Sequence, residues 1–381
     1  MTCSVTQLDI LTINMKDKQP KARVWAYYLP QFHPFPENDE WWGEGFTEWT
    51  NVGKAKRFFP GHNQPRVPAD LGYYDLRVPE TREAQAQLAR EAGVEGFIYW
   101  HYWFAGKELM ERPFDEVLAS GKPDFPFALA WANQTWQGFN FGVNDERNVL
   151  IEQTYPGDED YIAHFNKVLP AFKDKRYIQC DGKPIFVIYQ PFDIPDPKHF
   201  IELWQSLARE NGLKGIYFIG LENGYFTEEE GLAYKKEIEA VGFDAINYMR
   251  LHPNKQTFWQ LQFHRFTGYI LRWPSIYWYK WQMKWFSNET DREGNAIPCI
   301  IPDWDHTPRS GKRGMVFHGS TPELFGQHVR ETLARIMHKP YDKRIMIIKS
   351  WNEWAEGNYM EPDLKWGKGY LNALRKELFK D

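Results

Sequence analysis

Cysteine is scarce: Cys3, Cys180 and Cys299 are the only three in 381 residues. Odd in number and far apart, they suit neither a disulfide framework nor a zinc knuckle; they read as buried or incidental thiols. A charge of one sign is lacking too. The formal net charge of -5 offers no basic field for a phosphate backbone, so no nucleic-acid partner is expected. No apolar run approaches the roughly 18 residues of a membrane-spanning helix. The N-terminus, M-T-C-S-V-T-Q-L-D-I, lacks the basic start, long apolar stretch and small-residue cleavage site of a secretion signal, and the expected location is cytoplasmic. No strand-like run carries two histidines on one face, as metal-dependent hydrolysis requires. The best candidates for a metal would be Asp303 and Asp305, but neither a metal nor a cofactor is expected. Aromatic residues, by contrast, are abundant at 17%, with Trp 18, Tyr 20 and Phe 27. Flat rings beyond the needs of packing suggest stacking surfaces.

Short apolar or β-branched runs alternate with helical patterns such as E-T-R-E-A-Q-A-Q-L-A-R-E-A-G, an order that means parallel strands. The runs fall at residues 22–30, 96–103, 127–134, 184–191, 215–222, 243–250, 299–305 and 344–353. Eight such units make a closed (β/α)8 barrel. A doubly wound sheet would need a Gly-rich phosphate loop after the first strand, and Y-Y-L-P-Q-F-H-P-F-P has none. The whole chain, 1–381, is therefore read as one (β/α)8 barrel, with an N-terminal extension over 1–21. Two connections are too long to be ordinary turns: residues 34–72, expected to fold over the barrel mouth, and the aromatic-rich insertion 251–298.

Each run opens apolar and ends in groups that hydrogen-bond, and barrel enzymes place their sites at those C-terminal strand ends. The candidates for substrate contact are Tyr28, Gln31, His33, His101, Trp131, Asn133, Tyr189, Glu222, Asn223, Asp303 and Asp305. For His101 a hydrogen-bonded structural role weighs equally, and for Glu44 and Glu48 in the mouth loop the capping of backbone N–H groups weighs slightly more. The last run ends in S-W-N-E-W-A-E-G. Glu353 and Glu356, three residues apart at a strand exit, can enter one cleft from a tight loop. Two carboxylates can share general acid and base work on a glycosidic bond when their surroundings separate their pKa values. Trp351 and Trp354 would frame them and supply sugar-stacking faces, with Asn352 a further candidate for substrate contact. The competing reading is a helix N-terminus decorated with Glu. Lys349 shares strand parity with Glu353; it suits a Schiff base, but more readily a partner for a buried carboxylate.

The stretch A-Y-Y-L-P-Q-F-H-P-F-P-E-N-D-E-W-W-G-E-G-F-T-E-W-T-N-V, with the later S-W-N-E-W-A-E-G-N-Y-M-E-P-D, resembles the WbsX glycosyltransferase family, also described as glycoside hydrolase family 99-like. The resemblance covers nearly the whole chain. It implies a (β/α)8 barrel, an oligosaccharide or sugar-donor substrate, and a place in polysaccharide or lipopolysaccharide O-antigen biosynthesis. It also implies that Glu353 deprotonates a sugar 2-hydroxyl, which attacks the anomeric carbon, while Glu356 protonates the leaving oxygen. The family 99 endo-α-mannosidases carry His where Ala355 stands here, which bears on substrate contacts more than on reaction type. Transfer, hydrolysis and a non-catalytic glycan-binding barrel remain the three readings, with transfer first. In residues 265–286, Trp273, Trp278, Trp281 and Trp285 interleave with Lys280 and Lys284. That composition suits either packing on the barrel or peripheral contact with the inner membrane.

Overall fold

The computed structural model describes residues 19–139, 147–222, 224, 227–251 and 258–380. Most of the 1–21 extension, Asn223 and residues 252–257 of the insertion lie outside them. All eight expected runs form parallel strands: β1 (Arg23–Tyr28), β2 (Gly96–Phe104), β3 (Phe127–Trp131), β4 (Lys183–Ile188), β5 (Tyr217–Glu222), β6 (Ala245–Tyr248), β7 (Ala296–Ile300) and β8 (Ile345–Ile348). Strand β1 pairs with both β8 (Arg23 opposite Ile345) and β2 (Trp25 opposite Gly96), which closes the sheet into a barrel. Parallel strands are covered on both faces; accordingly every residue of β2, β3, β5, β6 and β8 is buried.

Helices α1 (Pro79–Ala92), α2 (Arg112–Ser120), α3 (Asp158–Phe172), α4 (Pro197–Glu210), α5 (Glu228–Val241), α6 (Pro322–Ile336) and α7 (Gly369–Phe379) surround the strands. Their starts are written locally. Proline, which needs no N–H there, stands in the first turn of α1, α2, α4 and α6. Thr227 and Glu230 form a capping box on α5. Gly93 ends α1 at φ 89, and a Cβ there would lie 2.7 Å from the Phe379 ring.

The interior carries a polar layer. Tyr27 stacks on Trp100 at 4.7 Å and donates to Asn247 Oδ1 at 2.9 Å across the barrel. Residues 34–72 form two short helices, Pro36–Trp42 and Glu48–Gly53, and with Phe58 they wall the barrel mouth. Between β6 and β7, the described part of the insertion forms a helix, Phe258–Phe266, and a strand, Ser275–Trp278, paired with Met315–His318. Among the described residues no helix is long and apolar enough to cross a membrane.

Candidate active site

The C-terminal strand ends open into a cleft of about 1080 Å³. The loop after β8 reaches it as a small hairpin. Asn352–Glu353 pairs antiparallel with Asn358–Tyr359, and Gly357 turns the chain at φ +61. A Cβ on Gly357 would lie 2.7 Å from Asp305 Cβ and 2.9 Å from Arg66 Cζ, so this corner admits only glycine. The hairpin aims Glu353 and Glu356 into the cleft, although both are more than nine-tenths buried.

One ammonium lies between them. Lys349 Nζ donates to Glu353 Oε2 at 2.8 Å and lies 3.6 Å from Glu356 Oε2. Burial and the neighbouring Glu356 charge raise the pKa of Glu353, against the pull of Lys349 and Arg309. Burial by itself would lower the pKa of Lys349, but the two carboxylates raise it above that of an ordinary lysine. Arg309 closes the other side, donating to Glu356 Oε1 and lying 3.2 Å from Glu48 Oε2. His306 stands 3.7 Å from Glu356 Oε1 and stacks on Trp304; burial and Arg309 push it down to about 4, which keeps the ring neutral at pH 7.

A second tier holds this geometry. The Asp305 N–H donates to the Glu356 carbonyl at 2.6 Å. Its carboxylate accepts from His62 Nε2, Gln64 Nε2 and the Thr307 hydroxyl at 2.6–2.8 Å. Phe58 N–H donates to His62 Nδ1, which places the ring proton on Nε2. Burial would raise the Asp305 carboxyl, but these donors and the Arg66 charge hold it at about 2. Arg66 donates to Asp303 and to the Gly357 carbonyl, tying the loop after β7 to the hairpin. Asn352 clamps the hairpin to β1 by exchanging two hydrogen bonds with the Leu29 backbone.

Of the residues singled out from sequence, Gln31, Tyr189, Lys349, Glu353 and Glu356 line the cleft. Asp303, Asp305 and Asn352 brace its walls in the manner just described. Trp354 lies behind it, stacked on Tyr359 at 3.8 Å and donating to Glu361. Asn133 joins the ends of β3 and β4 through the Gln190 backbone. Four others point from the barrel into the helix layer. Tyr28 donates to Gln85 of α1, His101 meets His164 of α3, Trp131 packs against His164 and Phe200, and Trp351 against Phe97. Burial pushes His101 down to about 3. His33 donates to the Pro30 carbonyl in a buried turn. Glu222 accepts from the Gly224 amide, and burial pushes its carboxyl up to about 7. Asn223 lies outside the described residues.

The sequence reading missed Trp100, Tyr102, Trp304, His306 and Arg309 on the cleft wall, and set Glu48 aside as structural. Period-two counting would have found the first two, since they alternate with His101 along β2. Arg309 and Glu48 carry no local signal, because loops 261 residues apart in sequence bring them together.

Comparison with known proteins follows the same lines. The chain is 35% identical to the uncharacterized protein WxcX of Xanthomonas campestris pv. campestris over 96% of its own length and 51% of the relative's. A second strain's WxcX is 34% identical, over 94% and 50% respectively. The chain thus spans about half the length of the curated relatives it matches. In fold it is similar to a glycoside hydrolase-like protein (TM-score 0.60, 17% identity, 96% of each chain). It is also similar to the family 99 endo-α-mannosidase of Bacteroides thetaiotaomicron (TM-score 0.57, 14% identity, 93% of this chain and 96% of that one). The description Glycosyltransferase WbsX matches residues 24–374, from β1 into α7. Barrel, cleft and sequence therefore agree on one assignment: the chain belongs to the WbsX glycosyltransferase family of carbohydrate-active proteins.

Proposed function

We propose that the protein transfers glycosyl units in the assembly of a polysaccharide or lipopolysaccharide O-antigen, with Glu353 as its base and Glu356 as its acid. The observation that carries this reading is the two carboxylates gathered about Lys349 at the foot of an aromatic-walled cleft. Glu353 has the character of a base: buried and beside a second carboxylate, it has a raised proton affinity, which matches the removal of a sugar hydroxyl proton. Lys349 fixes its direction. Glu356, hydrogen-bonded to Arg309, protonates the leaving oxygen. Trp100, Tyr102 and Trp304 present faces on which a sugar ring can stack.

Charge favours transfer over hydrolysis. Six cations line the cleft against three carboxylates, in a chain of net charge -5. Glu48, Glu353 and Glu356 are engaged by Arg309 and Lys349, while Lys54, Lys56 and Lys312 stand exposed at the rim. Such a rim suits the phosphates of an activated sugar donor. The second reading is hydrolysis, which rests on a fold shared with an endo-α-mannosidase. Incubating the protein with a panel of sugar nucleotides and lipid-phosphate sugars, with and without an oligosaccharide acceptor, separates the two. Product that depends on the acceptor is expected. Equal release of free sugar without acceptor would establish hydrolysis instead.

A further inference from the structure

The insertion after β6 is fixed to the barrel by one set of rings and leaves another set in water. Tyr279 is fully buried and donates to the Ile301 carbonyl at 2.5 Å, while Tyr277 and Phe286 are buried beside Phe317. His264 ties helix Phe258–Phe266 to the Ser275–Trp278 strand through the Ile276 carbonyl and the Tyr277 ring. None of that helix's residues is buried. Phe258 is 66%, Trp259 78% and Tyr269 86% exposed, and Trp278, Trp281 and Trp285 are each more than half exposed. An apolar patch of this extent marks an interaction surface.

Its charge is of one sign. Between Asp244 and Glu289 the sequence holds six Lys or Arg and no Asp or Glu. Arg265, Arg272, Lys280 and Lys284 are exposed among the rings. We infer that the exposed aromatic and cationic face of residues 258–285 docks the protein on a lipid bilayer carrying anionic headgroups. Trp and Tyr rings settle at headgroup depth, and nearby cations are attracted to an anionic surface. A second copy of the chain is a poor occupant, because a two-fold contact would set this cationic face against itself with no acid between. The docking also has a direction. The insertion leaves β6 at the end of the barrel where the cleft opens, and Trp273 lies 5.8 Å from Phe59 of the mouth loop. A docked molecule holds its cleft mouth beside the bilayer, within reach of sugars carried on membrane lipids.

Co-sedimentation with vesicles tests this without any reading of turnover, so its failure leaves the glycosyl-transfer proposal standing. Vesicles of phosphatidylglycerol mixed with phosphatidylcholine are expected to bind the protein at low salt, and phosphatidylcholine alone to bind it far less. Raising the salt to about 0.5 M should weaken binding as the charges are screened. Two variants separate the contributions. Trp259→Ala with Tyr269→Ala removes the two most exposed rings of this face, and should lower partitioning about tenfold or more. Arg265→Gln with Arg272→Gln, which leaves Lys280 and Lys284, should sharply reduce the preference for the anionic lipid. Both variants should keep the parent's melting temperature. Absence of vesicle binding at low salt, binding indifferent to headgroup charge, or self-association through this face in light scattering would each overturn the inference.

Discussion

Replacing Lys349 by Met removes the ammonium that is ion-paired to both carboxylates and keeps the length of the side chain. At the 2.8 Å separation from Glu353 Oε2, a unit charge pair with an effective dielectric near 20 is worth about 6 kcal/mol before relaxation. Each pKa unit corresponds to about 1.4 kcal/mol. Even if water and rearrangement recover two-thirds of the loss, Glu353 titrates clearly higher without the ammonium. With Glu353 as base, the ascending limb of log kcat/KM against pH should move up with it, on whichever donor and acceptor support turnover. Stability follows with a definite sign. A carboxyl whose pKa is raised in the folded state binds more protons there than in the unfolded chain, so stability falls as pH rises through the window between the two values. The Met variant should therefore lose more in thermal unfolding at pH 8 than at pH 5, with a deficit at pH 8 of about 3 to 5 kcal/mol for the unpaired buried charge. A limb displaced by less than about half a unit, or a deficit equal at both pH values, would refute the assignment of Lys349 as the shared partner.

Asp305, held at about 2, presents the opposite sign. Its depressed carboxyl contributes about 2.5 kcal/mol above pH 4 and loses it as pH falls towards 2, so Asp305→Asn should show a clear urea-midpoint deficit at pH 7 that shrinks by pH 2.5. Gly357→Ala should cost about 2 to 3 kcal/mol and most of the activity, because its Cβ would strike Asp305 and Arg66 beneath the hairpin. Gly72→Ala, also at positive φ but with nothing within 4 Å, should cost only about 1 kcal/mol and leave activity intact.

The barrel was legible because parallel strands are buried on both faces and so read as continuous apolar runs. All eight runs became strands, and E-T-R-E-A-Q-A-Q-L-A-R-E-A-G became α1 with Gly93 as its stop. The polar ends of several runs proved to be loop rather than strand: β3 stops at Trp131, and β8 at Ile348. The site was legible where parity was used. Lys349 and Glu353 were matched by counting, and both line the cleft. Where side-chain chemistry was weighed without the count, the residues named fell on both faces: Gln31 and Tyr189 line the cleft, whereas Tyr28, His101 and Trp131 face the helices. Glu48 and Arg309 depend on the fold of two loops, and no window of sequence contains both.

The proposal of Glu353 and Glu356 as the working pair is tested most directly by turnover of Glu353→Gln and Glu356→Gln. Each exchange keeps the shape of the side chain and removes its ability to carry a charge or exchange a proton. With a donor and acceptor that the parent uses, and with circular dichroism showing each variant folded, kcat should fall by about a hundredfold to ten-thousandfold in both. Near-parental turnover in the two folded variants would contradict the claim.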